Sequence, residues 1–426
     1  MVVAAATLLA FAGAWLALQQ TSQAQTPATR TVSDPAPIAK GAALAAIGNC
    51  ATCHTAEGGK TLAGGRALDT PFGTVYSTNL TPDPDTGIGR WSAQDFRRAM
   101  HEGIGRDGRE LYPVFPYDHY ARVADEDIDV IFAYLVSRDP LRVEIPENRM
   151  LVPRPFVAFW KSLYFKPGVL PSDAAHDAQW NRGRYLAEGL GHCGACHTPR
   201  NALGAEEPQR AFAGGRVDGW SAPPLNAQSP APHAWTVENL TTYLRTGFDA
   251  QHGVAAGAMA PVAQNLGAVP EADVRAIAVY IASQMRGARP AAPAATSSKS
   301  ETEQVAEDAV PDSFGAAASG ADGAAIYKSA CAGCHERARR GIPLSLSTSI
   351  TDTTSANLVR ITLEGIAPLE GRGGGIMPGF AGALTDRQMA ALAEYLRKEI
   401  GHAPPWSDLE REIAKARDEA KARKSS

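Results

Sequence analysis

The chain has no cysteine to spare: it holds six in 426 residues, and all six fall in one short pattern that occurs three times. Aromatic residues are few, at 7 %, against 40 glycines and 30 prolines, a balance suited to short helices joined by long loops. There is no excess of positive charge either. The formal net charge is −4, so the chain carries no electrostatic footprint for nucleic acid. A Walker loop, a dinucleotide fingerprint, a His/carboxylate cluster for a second metal and a nucleophile or acid–base constellation are all missing from the sequence. Function must therefore be sought in the repeated pattern.

That pattern is Cys-x-x-Cys-His, at Cys50, Cys53 and His54, at Cys193, Cys196 and His197, and at Cys331, Cys334 and His335. It is the attachment signature of c-type haem: two thioethers tether the porphyrin edge and the adjacent histidine reaches the iron from one side. A zinc site would want two Cys pairs close together, and these lie well over a hundred residues apart. A redox dithiol has no need of a histidine after its second cysteine three times over. Three covalently bound haem c groups in one chain imply electrons passed along a row.

Aligning the motifs shows that a whole domain repeats. Each motif follows a short helical stretch with a glycine (Gly41, Gly183, Gly323), and each copy closes with a stronger helix around Asp125–Leu135, Glu271–Ile281 and Thr385–Leu396. The closing helices share a tyrosine (Tyr134, Tyr280, Tyr395) that can pack against the glycine of the first helix, where the missing side chain permits close approach. A middle helix also repeats and stops on Gly103, Gly247 and Gly365. Twelve residues past the last two stops stand Met259 and Met377, which are expected as sixth iron ligands. Twelve past Gly103 is Phe115, which cannot ligate iron. His119 is the preferred substitute there, with Met100 or an open position as the alternatives. A bis-histidine first haem would lie below the other two in potential, since methionine ligation raises it.

The segments follow from this alignment. Residues 1–26 form an apolar signal or anchor, with Ser22-Gln23-Ala24 as a small-x-small cleavage pattern but without the positive start of a signal peptide. Residues 34–140, 173–286 and 321–402 are the three haem domains. Between them, 141–172 holds a short aromatic helix bounded by prolines, which either packs between domains or meets a partner subunit or the membrane interface, and 287–320 is a tether that leaves the third domain free to move. Residues 403–426 are a charged tail, expected as a solvated or frayed helix, with docking as the alternative.

The arrangement resembles the three-haem cytochrome c subunit of bacterial membrane-bound dehydrogenases. The likeness runs from about Asp34 to Gly401 and rests on the three motifs, on Thr70-Pro71-Phe72-Gly73-Thr74-Val75-Tyr76-Ser77-Thr78-Asn79-Leu80-Thr81-Pro82-Asp83, on Gly87-Ile88-Gly89-Arg90-Trp91-Ser92, and on Leu111-Tyr112-Pro113 leading to Pro116-Tyr117. It implies a mainly α fold of three consecutive class I cytochrome c domains, with short helices and long loops around covalently bound haem. It also implies a non-catalytic electron-transfer subunit on the periplasmic side of the inner membrane, partnered by a catalytic dehydrogenase subunit and passing electrons to ubiquinone or the respiratory chain. Family members that serve alcohol and sugar dehydrogenases carry a methionine where this chain has Phe115. Phe115 followed by Asp118-His119 looks like the branch accompanying molybdenum hydroxylase aldehyde dehydrogenases, which implies a small iron–sulfur subunit as a further partner. The alternatives are a cytochrome subunit of a quinoprotein alcohol or flavoprotein sugar dehydrogenase, and a haem enzyme that uses an open first haem. A free-standing diffusible shuttle is disfavoured by the apolar start and the Phe156–Phe165 segment.

Overall fold

Short helices account for most of the regular structure, and several of them start on a hydroxyl or acidic cap and stop on glycine. The computed structural model describes residues 35–286, 322–337, 341–369 and 377–425, and the expected N-terminal signal or anchor and the 287–320 tether lie outside them. From Pro37 onward the described chain belongs to one compact unit. The helices are α1 (Pro35–Ile47), α2 (Ala93–Glu102), α3 (Asp125–Val136), α4 (Pro155–Tyr164), α5 (Ala178–Glu188), α6 (Val237–Thr246), α7 (Met259–Leu266), α8 (Glu271–Arg286), α9 (Gly323–Ile326), α10 (Ala356–Glu364), α11 (Asp386–Tyr395) and α12 (Leu409–Ser425). Strands are short: β1 (Ala67–Thr70), β2 (Gly73–Tyr76) and β3 (Arg149–Met150) form one antiparallel sheet in that order, and β4 (Gly215–Val217) with β5 (Trp220–Ala222) and β6 (Phe248–Asp249) with β7 (Gly253–Val254) form two hairpins. The fold is mainly α, as expected.

Local chemistry explains where the middle helices begin and end. Ser92 and Asp95 make a reciprocal capping box at the start of α2, and the Thr236 hydroxyl accepts from Asn239 N at the start of α6. The helices stop at Gly103, Gly247 and Gly365, whose φ angles of 63, 73 and 81° lie in the region that favours glycine.

The same helix crossing occurs three times. At Gly41 a Cβ would overlap the Val130 carbonyl and the Tyr134 side chain, at Gly183 those of Ala276 and Tyr280, and at Gly323 those of Ala391 and Tyr395. Main chain thus packs on main chain at α1–α3, α5–α8 and α9–α11, and the glycine–tyrosine pairing read from the sequence is a real contact. Leu44, Ile47, Ile128, Ile131 and Leu135 join Leu186, Leu190, Val274, Ile277 and Ile281 in one buried core, so the first two motif-bearing stretches share an interior. Leu358, Val359, Leu363, Met389, Leu392 and Leu396 make a second core in the third.

Two expectations are corrected. The third stretch does not hang free on its tether: Asn357 exchanges hydrogen bonds of 2.9 Å with the Ser221 main chain, Ser221 Oγ donates to Asp352 at 3.0 Å, and Arg360 Nε donates to the Gly219 carbonyl at 2.9 Å. Arg360 is buried at 1 % exposure and is balanced by Glu364 and Glu419. Nor is the tail a solvated helix. Leu409, Ile413 and Ala416 of α12 are buried on the second core, and Glu412 pairs with Arg216 across the seam at 2.8 Å. The i, i+4, i+7 spacing of these three was visible in the sequence, but the surrounding charges masked it.

A methyl group at the crossing has nowhere to go. Gly183→Ala should cost about 1–3 kcal/mol by forcing α5 off α8, whereas Gly382→Ala, where a Cβ meets nothing within 4 Å, should stay within about 0.5 kcal/mol of the parent. Denaturant unfolding of the two variants checks this.

Candidate haem sites and an interdomain histidine

All three motif histidines are oriented the same way. Nδ1 of His54 lies 2.6 Å from the Thr78 carbonyl, Nδ1 of His197 lies 2.7 Å from the Pro223 carbonyl, and Nδ1 of His335 lies 2.9 Å from the Ile342 carbonyl. A carbonyl only accepts, so each Nδ1 carries the proton and each Nε2 is left with its lone pair, the state in which imidazole binds a metal. Burial holds the pKa of His54 and His197 below the usual histidine value, outweighing the carbonyl bonds that favour the charged form. The cysteines are unpaired with one another. Burial pushes Cys50 and Cys193 up to about 12 and Cys196 and Cys331 up to about 11, so the free thiols are neutral. Two thiols beside an imidazole with a free Nε2 fit covalent haem c.

A cavity of about 1680 Å³ is lined by Cys193, Cys196, His197 and Met259 and also by Cys331, Cys334, His335 and Met377. Each methionine found by counting from a glycine therefore shares a cavity with its own motif, and the second and third motifs share it with each other. Met377 leaves the helix stop on a main-chain bridge, its N–H donating to the Ile366 carbonyl at 3.0 Å and its carbonyl accepting from Ile366 N at 2.8 Å. Met259 opens α7. At the first motif, Cys50 and Phe115 pack against the core that holds Met100 and Tyr120. The Phe115 and Tyr120 rings are 5.3 Å apart, and Tyr120 donates to the Gly48 carbonyl at 3.3 Å.

His119 reaches from the first motif-bearing stretch to the second. Its Nδ1 meets the Glu188 carbonyl at 2.8 Å and its Nε2 meets Glu206 Oε1 at 2.7 Å, so both ring nitrogens are taken by groups of the second stretch. The ring abuts Gly194, inside the second motif. In this arrangement neither ring nitrogen of His119 offers a lone pair to the first iron, the role expected of it. Asp118, His119 and Glu206 are also a His/carboxylate group that the sequence did not reveal, because 87 residues separate the two principal partners. Burial works against a charged His119, but the hydrogen bond and charge of Glu206 more than offset it and raise its pKa. Burial likewise opposes a charged Glu206, and His119 with Arg200 and Arg122 brings its pKa below the usual carboxylate value.

A haem-carrying, mainly α chain whose motif histidines are set for iron belongs to the c-type cytochromes. The family model described as cytochrome c matches residues 38–139, and that described as cytochrome c oxidase, cbb3-type, subunit III matches residues 318–396. The chain is 44 % identical over 391 residues to a nicotinate dehydrogenase subunit of Pseudomonas putida, covering 89 % of this chain but only 32 % of that longer protein. It is 34 % identical to the fructose dehydrogenase cytochrome subunit of Gluconobacter japonicus, over 86 % of this chain and 80 % of the relative. It is 32 % identical to the cytochrome c subunit of the quinone-type alcohol dehydrogenase of Gluconobacter oxydans, over 90 and 83 %. The chain belongs to the family of cytochrome c subunits of dehydrogenases, which carry electrons through covalently bound haem c.

The raised His119 pKa contributes stability that is complete below the unfolded value near 6.5 and is lost as pH rises through the folded value; the lowered Glu206 pKa contributes stability present above about 4.3 and lost as pH falls. Glu206→Gln should therefore cost most, about 1–3 kcal/mol, between roughly pH 4.3 and 6.5, with the gap from the parent narrowing at pH 8.5. Denaturant titrations at the two pH values measure it.

Proposed function

We propose that the chain is the three-haem subunit of a periplasmic membrane-bound dehydrogenase complex, built as cytochrome c domains over residues 34–140, 173–286 and 321–402. The supporting observation is the shared setting of His54, His197 and His335, each with Nδ1 on a main-chain carbonyl and Nε2 free. Bound haem c supplies reversible one-electron exchange between ferric and ferrous iron. Cys50 and Cys53, Cys193 and Cys196, and Cys331 and Cys334 would hold the porphyrin edges, the three histidines one side of each iron, and Met259 and Met377 the other side of the second and third. With His119 engaged elsewhere and Phe115 lacking a donor atom, an open position is read at the first iron, and Met100, buried in the same core, is the alternative ligand.

The second motif lies between the others. Asn265 of α7, the helix that Met259 opens, donates to Asn49 Oδ1 at 2.8 Å and Thr52 Oγ1 at 2.9 Å beside the first motif. On its other side the second motif shares its cavity with the third. Electrons entering at either end then pass through the middle haem. Methionine raises a haem's potential, so the first haem is the low-potential entry point and the third passes electrons toward ubiquinone or the respiratory chain.

The catalytic partner is read as a molybdopterin-type aldehyde dehydrogenase with a small iron–sulfur subunit. Phe115 in place of methionine supports this, because the alcohol and sugar dehydrogenase members carry methionine there. Among the described residues no helix is long and apolar enough to cross a membrane. Membrane contact is assigned to α4, which is held by buried Val157 and by Trp160, whose indole donates to the Leu203 carbonyl at 3.0 Å. Its other face exposes Phe156, Phe159 and Leu163, 53–60 % accessible and spaced as one stripe. The four charged residues between Asn148 and Ser172 are all basic, and with Lys161 paired to Glu110 the remaining three, Arg149, Arg154 and Lys166, suit an anionic lipid surface.

Haem quantitation should give three groups per chain, falling to two in the Cys193→Ala/Cys196→Ala variant. Carbon monoxide should bind the ferrous protein at one haem only; no binding would show that the first iron has a strong sixth ligand after all. The parent should co-sediment with anionic vesicles and Phe156→Asp/Phe159→Asp should not, with haem content unchanged; equal sedimentation removes α4 from the membrane contact.

A further inference from the structure

His252 is buried, with its side chain fully shielded from solvent, yet its Nε2 has no hydrogen-bond partner. It sits in the turn of the β6–β7 hairpin, between the Gly247 stop and Met259, and lines the cavity that Cys193, Cys196, His197 and Met259 share with Cys331, Cys334, His335 and Met377. The ring is held from two sides. Trp235 stacks on it with centroids 3.5 Å apart, and Asp249 Oδ1 lies 3.0 Å from Nδ1. Asp249 is itself fixed, accepting from Asn239 Nδ2 at 3.0 Å and Gln251 N at 2.9 Å. A carboxylate on Nδ1 makes that nitrogen a donor and turns Nε2 away from Asp249. A buried ring nitrogen left unpaired costs about 1–3 kcal/mol, so an imidazole this firmly oriented implies a partner that arrives with the cavity's occupant.

The nature of that partner follows from the occupant's chemistry. Haem c tethered at Cys193 and Cys196 carries polar atoms only at its iron and at its two rim carboxylates. The iron is accounted for by His197 and Met259. We propose that His252 is a positioning residue for the second haem: its Nε2–H donates to a rim carboxylate, with Asp249 holding the opposite side of the ring. The imidazolium then lies between two carboxylates, both of its nitrogens donating. Burial, with His233, outweighs Asp249 and holds the pKa of His252 below the usual histidine value; a haem carboxylate would supply the further anion that favours the charged ring. The contact would also reach the neighbouring site. A Cβ on Gly253, next to His252, would press on Ile342 Cδ1 at 2.9 Å, and the carbonyl of Ile342 is the one that orients His335.

This inference rests on the proposal that the second motif carries haem, and haem quantitation on the parent protein tests that separately: a chain with Cys193 and Cys196 unmodified would overturn the underlying assignment. With three haems present, redox titration of His252→Leu should show one midpoint potential lowered, because an uncompensated carboxylate beside the macrocycle stabilises ferric iron. The component that moves should be the one that Met259→His also moves. His252→Gln, whose amide can still donate, should restore part of the shift and guards against a misfolded first variant. The sulfur-to-iron charge-transfer absorption should be unchanged in both His252 variants. Three unmoved potentials in a fully loaded variant would overturn the proposal, and so would a change in the sulfur-to-iron band, which would make His252 an iron ligand.

Discussion

Main chain lies directly on main chain where α1 crosses α3, α5 crosses α8 and α9 crosses α11, and at each crossing a glycine removes the one atom that would keep the helices apart. The rest of the architecture depends on that contact. The first helix of each pair runs into Cys-x-x-Cys-His, so its distance from the closing helix sets where two thiols and an imidazole stand relative to the core. A loop then returns a single carbonyl, from Thr78, Pro223 or Ile342, to Nδ1 of the motif histidine. One steric condition and one hydrogen bond thereby orient an iron ligand without a continuous sheet or a long helix bundle.

The same unit is joined to its neighbours in two different ways. The first and second stretches merge their apolar interiors and add the His119–Glu206 contact between them. The second and third keep separate apolar cores but share a cavity, and their seam is polar, with buried Arg360 donating to Gly219 and balanced by Glu364 and Glu419. A buried guanidinium is costly unless every donor is matched. It therefore specifies one docking geometry where a purely apolar patch would tolerate several. A fixed geometry is what an electron carrier with several centres requires, since transfer depends on distance.

Much of this was legible in advance wherever the constraint is local. Capping residues, stop glycines and the Cys-x-x-Cys-His spacing act within a few residues of one another, and the observed helices begin and end within a few positions of where those signals lie. The glycine–tyrosine crossing was legible as well, because it recurs and repetition exposes a long-range contact. What misled was context. His119 looked like a ligand from its place after Phe115, but its partners Glu188 and Glu206 are 69 and 87 residues away. The α12 charges suggested a solvated tail, although Leu409, Ile413 and Ala416 form its buried side. The tether suggested a mobile third domain because composition describes a linker and says nothing of the surface it leads to.

Sequence alone determined the covalent chemistry: which cysteines pair with which histidine, how many such sets exist, and that two of them have a methionine at a common offset while the first does not. These follow from residue identity and short spacing, which no packing can alter. Only the tertiary structure decided which nitrogen each histidine keeps free, that His119 bridges the first and second motif-bearing stretches, and that Nε2 of His252 stands unpaired in the cavity of the second and third motifs. Those facts depend on which groups meet across tens to hundreds of residues, and a hydrogen bond is selected by distance and direction in space rather than by order along the chain.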